Sequence, residues 1–244
     1  MKKNNLPNKI AIFPLSNAIF FPRTNLPLNI FEDRYIQLVN DCMKNNRMFG
    51  MIQPRNNKGI SPEVYSVGCL GKIISFNETT DKRFIITLLG LTRFRIKKEL
   101  QKEKLYRNFE VDYSEFLDDL VIKKNETFSS EKKNLLNKIQ VFFEKINYPV
   151  KYIELSKLDL DELISNVSMI SPFSIEEKQK LIETKKIDNK IKVLSEIINF
   201  NLLLTPDSSF LLKSSLFNLY NSLILNPFVL IAGTSFFVIP RCLA

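Results

Sequence analysis

The chain has 244 residues, 45% hydrophobic and 25% charged, a balance that excludes a disordered polypeptide and allows one large domain or two small ones. Gly is scarce at 6 while Phe reaches 20, which argues against a fold built on glycine-rich phosphate loops. The net charge of +9 would suit nucleic acid or an anionic membrane, but the basic residues are dispersed and the densest run, Arg93 to Lys98, is followed at once by Glu99, so lysines solvating helix faces are favoured and nucleic acid is disfavoured as a partner.

Residues 9–113 read mostly as β structure. Lys9–Leu15 is a short apolar run ended by Pro14, and Ala18–Pro22 is read as a second strand. Prolines 7, 14, 22 and 27 punctuate the region and imply short segments that bend at corners. Leu26–Tyr35 starts apolar and extended, then becomes charged at Glu32-Asp33-Arg34. From Glu32 to about Asn45 the spacing of Tyr35, Ile36, Leu38, Val39, Cys42 and Met43 predicts an amphipathic helix. Its acids fall in the first turn, and Lys44 and Arg47 at the end, as the helix dipole favours. Met48–Ile52, Val67–Phe76, Arg83–Gly90, Leu91–Leu100 and Asn108–Phe116 follow as strands, with Asn77–Arg83 a polar hairpin connection. So many short strands with little helix between them predict an antiparallel barrel or curled sheet.

After about residue 125 the period becomes helical. Phe128–Asn147 places Leu135, Leu136, Ile139, Phe142, Phe143 and Ile146 on one broad face and ends at Tyr148-Pro149. Asp159–Met169 is a shorter helix. Ser174 and Glu177 form a capping box ahead of the next, and Ile187, Ile191, Leu194 and Ile198 mark a last helix stopped by Thr205-Pro206. Ser214 to Pro240 carries no charge, and Leu223–Ile239 is strongly apolar. A stretch of about 20 apolar residues can cross a bilayer, so a membrane contact through residues 217–239 stands beside two other readings, a buried C-terminal element and a tail of no defined role. Asn218, Asn221, Asn226 and Pro227 interrupt the stretch and weigh against insertion.

Chemistry-bearing patterns are few. Cys42, Cys69 and Cys242 are far apart, there is no CxxC and no His, and neither a disulfide framework nor a zinc site is expected. Buried thiols in a reducing, cytoplasmic setting are the default. The opening MKKNNLPNKI lacks the apolar stretch of a secretory signal. Gly68–Ile73 holds a Gly-Lys pair without the spacing or the Ser/Thr of a phosphate loop. Without His there is no Ser-His-Asp triad. The tight acidic pair Asp118-Asp119 sits at a strand-to-helix transition and reads as a solvated loop. Glu32 or Asp33 could serve as a general acid or base tuned by Arg34. The favoured reading makes them first-turn charges, with Arg34 clamping a carboxylate on the neighbouring sheet. No catalytic residue, cofactor or metal is assigned.

Ile12–Tyr35, IFPLSNAIFFPRTNLPLNIFEDRY, resembles the opening of the Lon protease N-terminal, or substrate-binding, domain. That family begins with a Phe-Pro-Leu strand and a Phe-Pro corner, then Leu-Pro-Leu-x-Ile-Phe-Glu-x-Arg-Tyr. The likeness continues through Asp41, Phe49-Gly50, Val67-Gly68 and Ile73. Asp81–Ile96 resembles the family's Asp-Gly-Arg-Tyr and Gly-x-x-Arg-Phe strands, and Glu176–Glu183 its Glu-Lys-Gln-x-Leu-Leu-Glu run. Two departures stand out. Lys82 replaces the usual Gly, so the hairpin turn is expected to differ, and Phe84 replaces Tyr.

The resemblance covers about Lys9 to Leu204 and implies an α+β fold, a PUA-like β pseudobarrel followed by a small helical bundle. The implied divisions are 9–116 for the barrel half, 125–205 for the helical half and 214–244 for the uncharged tail. The ATPase and Ser-Lys peptidase motifs of the full protease are not found, so the chain looks like a free-standing domain of this family. The implied function is non-catalytic binding of unfolded or extended polypeptides, with a protease or chaperone as further partner and an adaptor role in protein quality control. An RNA-binding PUA-like module and a membrane-tethered interaction protein are the alternatives. The motif residues Pro14, Pro27, Phe31, Glu32, Arg34 and Tyr35, and then Gly68, Arg83, Gly90, Arg93 and Phe94, are of corner, core and clamp types, and are expected to hold the scaffold.

Overall fold

The computed structural model describes residues 6–55, 62–101, 103–121 and 129–204. The tail from residue 214, its membrane reading over 217–239, the stop at Thr205-Pro206 and Cys242 lie outside these.

Six strands come first: β1 (Lys9–Pro14), β2 (Asn25–Ile30), β3 (Met48–Ile52), β4 (Val67–Glu78), β5 (Phe84–Glu99) and β6 (Arg107–Asp112). One helix, α1 (Asp33–Met43), falls between β2 and β3. The sheet order is β2-β5-β4-β3-β1-β6, and β6 returns to pair with β5, so five strands close into a ring with β2 added outside. Among the described residues only the β1–β3 pairing is parallel. The long β5 makes closure feasible. Phe84–Leu89 pairs with β2 and Arg95–Glu99 with β6, while β4 runs along its other side.

The sequence divided β5 at Gly90, but it is one continuous strand. Gly90 is a passage point: a Cβ there would lie 2.2 Å from the Phe21 carbonyl oxygen, and Gly90 exchanges hydrogen bonds with Arg23 and Thr24 across the gap between β2 and β6. Ala18–Pro22 is not a strand. Ile19, Phe20, Phe21 and Pro22 are all buried in succession, where a half-buried strand would alternate, and the segment plugs the core as a loop.

The ring encloses a small core of Ile10, Ile12, Met48, Ile52, Leu70, Phe94, Phe109, Val111 and Tyr113. Gly50 and Gly68 leave room for the Phe94 ring, which a Cβ at either would meet at 2.8 and 2.7 Å. The larger core lies outside the ring. It joins the β2–β5–β4 ribbon and α1 to the helical half, with Leu28, Ile86 and Leu38 in the same cluster as Phe142, Leu163 and Ile198.

The helical half comprises α2 (Ser129–Lys145), α3 (Tyr152–Lys157), α4 (Leu160–Ile170), α5 (Ile175–Glu183) and α6 (Ile187–Leu204). Asp159 caps α4 by accepting from the Glu162 N–H, and Ser174 with Glu177 forms the expected reciprocal box on α5. The six-residue α3 is too short to show a period in sequence. Between β6 and α2, Ser114–Leu120 forms a 3-10 segment kinked at Phe116.

Candidate functional site

Arg93 sits in mid β5 with its side chain 2% exposed. It points out of the ring towards the helical half, on the face opposite Phe94. Its Nε donates to Asp119 Oδ2 at 2.9 Å, its Nη2 to Asp119 Oδ1 at 2.8 Å, and its backbone N–H to the same carboxylate at 3.0 Å. Nη1 donates to the Ile182 and Thr184 carbonyls at the C-terminal end of α5, where the helix dipole favours a cation. The guanidinium also stacks 4.5 Å from the Phe116 ring centroid. One residue thus ties β5, the 3-10 segment and α5 together.

Asp119 departs from the solvated-loop reading of the acidic pair, while Asp118 is exposed as expected. The Asp119 side chain is 4% exposed. Burial raises its carboxyl pKa, but the hydrogen bonds and charge of Arg93, helped by Lys190, outweigh burial and hold it below the ordinary carboxylate value. Lys190 in turn reaches Asp161 at 3.3 Å. On the rim, Glu115 binds Arg95 at 2.9 Å and Lys185 at 2.8 Å; hydrogen bonds from Arg95 and then Lys185 lower its carboxyl to about 2. Further links join the halves. Arg23, at φ 59°, donates to Asp159 Oδ2 at 2.9 Å and to the Val121 carbonyl at 2.6 Å, and Gln179 donates to the Val67 carbonyl at 3.3 Å.

The Glu32-Asp33-Arg34 cluster has a different geometry from the expected clamp. Glu32 is the N-cap of α1 and Asp33 opens its first turn. Arg34 does not reach the neighbouring sheet. It turns back to Glu32, with Nε and Nη2 at 2.9 and 2.7 Å from Oε2, and lies over the Tyr35 ring at 4.6 Å. The guanidinium of a first-turn residue lies too close to the cap carboxylate two positions back to prefer a longer reach. Tyr35 itself is buried and stacked on Phe13, centroids 4.0 Å apart.

The remaining motif residues are spread through the scaffold. Pro14 ends β1, and Pro27 lies mid β2, which has a neighbour on one side only and so tolerates a missing N–H. Phe31, half-buried, joins β2 to α1. Gly68, Phe94 and Gly90 serve the close approaches described above. Arg83 pairs with Asp81 at 2.7 Å in the exposed β4–β5 hairpin. Lys82 beside it stands at φ 63°, a left-handed backbone that suits the family's Gly. The motif residues do not converge on one cleft.

Two surface features remain. An open groove of about 470 Å³ between Tyr65 and α5 is lined by Glu176, Gln179, Lys180, Glu183 and Thr184. Among the exposed apolar side chains, which also include Leu105, Val121, Val141 and Ile153, Ile74 and Phe76 lie together on β4, and Phe200, Leu203 and Leu204 at the end of α6. Sequence periodicity does not mark these, since exposure there depends on which neighbours stop short. The one legible hint is length: the predicted β3 has half the residues of the predicted β4.

A family model for the ATP-dependent protease La (LON) substrate-binding domain matches residues 9–199. A Lon protease of Anaeromyxobacter dehalogenans (strain 2CP-C) is 23% identical over 205 residues, covering 82% of this chain and 24% of that protein. A Lon protease of Malacoplasma penetrans (strain HF-2) is 27% identical over 190 residues, covering 72% and 24%. The chain therefore spans about a quarter of the length of these curated relatives. Among solved structures, the N-terminal domain of Mycobacterium avium complex Lon protease aligns with a TM-score of 0.58 at 12% identity, covering 78% of this chain and 98% of that one. A Lon N-terminal domain protein from Xanthomonas campestris aligns with a TM-score of 0.53 at 18% identity, covering 76% and 96%. At these identities the structures speak for the fold alone, and they match the expected α+β barrel-and-helices order. With the ordered motifs from Pro14 to Phe94 and the family model agreeing over most of its length, the chain belongs to the Lon substrate-binding domain family.

Proposed function

We propose that the protein is a non-catalytic polypeptide-binding module that engages unfolded or extended segments, acting in the cytoplasm as a quality-control adaptor. The observation that carries this reading is the family match over residues 9–199, a region described as substrate-binding. Two features support it. Buried and half-buried charged groups are used internally: Arg93 with Asp119, and Arg23 with Asp159, hold the barrel half and the helical half together. The exposed surface meanwhile offers apolar side chains, Ile74 and Phe76 on the barrel, of the kind an unfolded chain can cover. The cytoplasmic part of the reading rests on Cys42 and Cys69, both buried free thiols. Among the described residues no helix is long and apolar enough to cross a membrane.

The test is a titration of the full chain into fluorescently labelled, reduced and carboxymethylated α-lactalbumin, and into a labelled single-stranded RNA, each at low and high salt. Saturable polypeptide binding that survives high salt is expected. RNA binding that collapses with salt, without polypeptide binding, would replace this reading with a nucleic-acid one.

A further inference from the structure

β4 outruns its neighbour. β3 pairs with it only from Cys69 to Lys72, where Met48 is the last partner, and the Arg47 carbonyl then takes the Ile73 N–H at 2.8 Å. Ile74 is bulged out of the β5 register; from Ser75 to Glu78, among the described residues, β4 pairs with β5 alone, and all five residues from Ile74 are exposed. A strand paired on one side turns alternate N–H and C=O groups outwards, so this stretch presents a short row of backbone donors and acceptors in extended geometry.

Proteins commonly blunt such edges with proline, charge or a bulge. The sheet's other outer strand, β2, follows that rule. Pro27 removes a donor mid-strand, and Leu26, Leu28 and Ile30 are buried. The β4 edge follows it only in the single bulge at Ile74. It carries no proline, its one charge is the terminal Glu78, and between lie Ile74, 53% exposed, and Phe76, 37% exposed. Phe76 is braced by the Phe84 ring, centroids 5.0 Å apart, so its side chain is presented against a fixed support. Neither Ile74 nor Phe76 belongs to either core cluster.

We propose that the unpaired β4 edge from Ile74 to Glu78 takes an extended polypeptide segment as an added strand, with Ile74 and Phe76 gripping its apolar side chains. The proposal rests on the polypeptide-binding reading above and names its site and mode. The chemistry selects the occupant. Outward N–H and C=O groups at strand spacing are complementary to another extended backbone; a helix has its own backbone groups engaged, and phosphates would need cations that Ile74–Glu78 lacks. A second copy of this chain would supply the same edge, but a net charge of +9 on each opposes that pairing.

The test uses the full chain, the labelled carboxymethylated α-lactalbumin and three variants: Ile74→Lys, Phe76→Lys and, as control, Phe200→Lys on α6. Ile74→Lys is expected to weaken binding at least fivefold and Phe76→Lys to act alike, while Phe200→Lys stays within twofold of wild type. Bound polypeptide is also expected to slow amide hydrogen exchange within residues 74–78. Wild-type affinity in Ile74→Lys, together with loss in Phe200→Lys, would overturn the β4 site and leave polypeptide binding standing on α6. Absence of saturable binding by the wild type would overturn both. A wild-type dimer dissolved by Ile74→Lys, with no probe binding, would assign the edge to a second copy and overturn the proposal.

Discussion

The guanidinium of Arg93 and the carboxylate of Asp119 form a two-bond fork, 2.9 and 2.8 Å, with the side chains 2% and 4% exposed. Because the same guanidinium binds carbonyls at the end of α5, it joins the β-ring to the helical half through one buried cation. Removing one partner of such a pair leaves a desolvated charge uncompensated, at about 3–5 kcal/mol. Asp119→Ala is therefore expected to lose that much in guanidinium denaturation. The double variant Arg93→Met, Asp119→Leu is expected to recover part of the loss, since it leaves no unpaired charge.

Lys178 is buried, and its Nζ donates to the Met169 carbonyl at 3.0 Å. Burial lowers its pKa from 10.5 to about 8, with the charge of Glu177 opposing the shift. A lysine whose folded pKa lies below its unfolded value binds fewer protons when folded, so stability rises as pH climbs from about 8 to 10.5. Lys178→Met removes the desolvated charge at the cost of one hydrogen bond. It is expected to add roughly 1–2 kcal/mol at pH 7 and to flatten the alkaline rise, both read from urea unfolding between pH 7 and 10.5.

The β4–β5 hairpin holds Lys82 at φ 63°, and Thr79 secures the turn by accepting from the Lys82 N–H at 3.0 Å. A side chain in left-handed backbone costs roughly 1–2 kcal/mol, and Gly recovers most of it despite its looser unfolded chain. Lys82→Gly is expected to raise stability by about 0.5–1 kcal/mol. Unchanged binding to the polypeptide probe is the companion expectation, because Lys82 lies beyond the Ile74–Glu78 edge.

Gly90 faces the Phe21 backbone so closely that an added Cβ would sit 2.2 Å from the carbonyl oxygen. The obstacle is backbone and cannot rotate aside. Gly90→Ala is expected to cost about 2–3 kcal/mol or more in thermal or chemical unfolding. By contrast Gly71→Ala meets the Phe20 ring at 3.0 Å, which can shift, and is expected to cost less.

Much of the fold was legible locally. The 3.6 period of Tyr35, Leu38, Val39 and Cys42 located α1, whose buried residues are these four. Ser174 and Glu177 marked the start of α5 because a capping box is satisfied within four residues. The errors share a cause. Ala18–Pro22 has strand composition but no strand neighbour, and tertiary burial made it a loop plug. Gly90 reads as a strand end, yet it lies inside β5 because Phe21 packs against it from a distant segment.

The sequence alone determined the strand-rich half followed by the helical half, the α5 cap and the family, since these depend on contacts within a few residues or on motifs read in series. It could not determine that Asp119 is buried, because its partner lies 26 residues away and the α5 carbonyls that complete the Arg93 site lie 89 or more further along. Nor could it determine that, among the described residues, β4 keeps an open edge at Ile74–Glu78. That follows from where β3 stops and β5 continues, and strand pairing is decided only when distant segments meet in space.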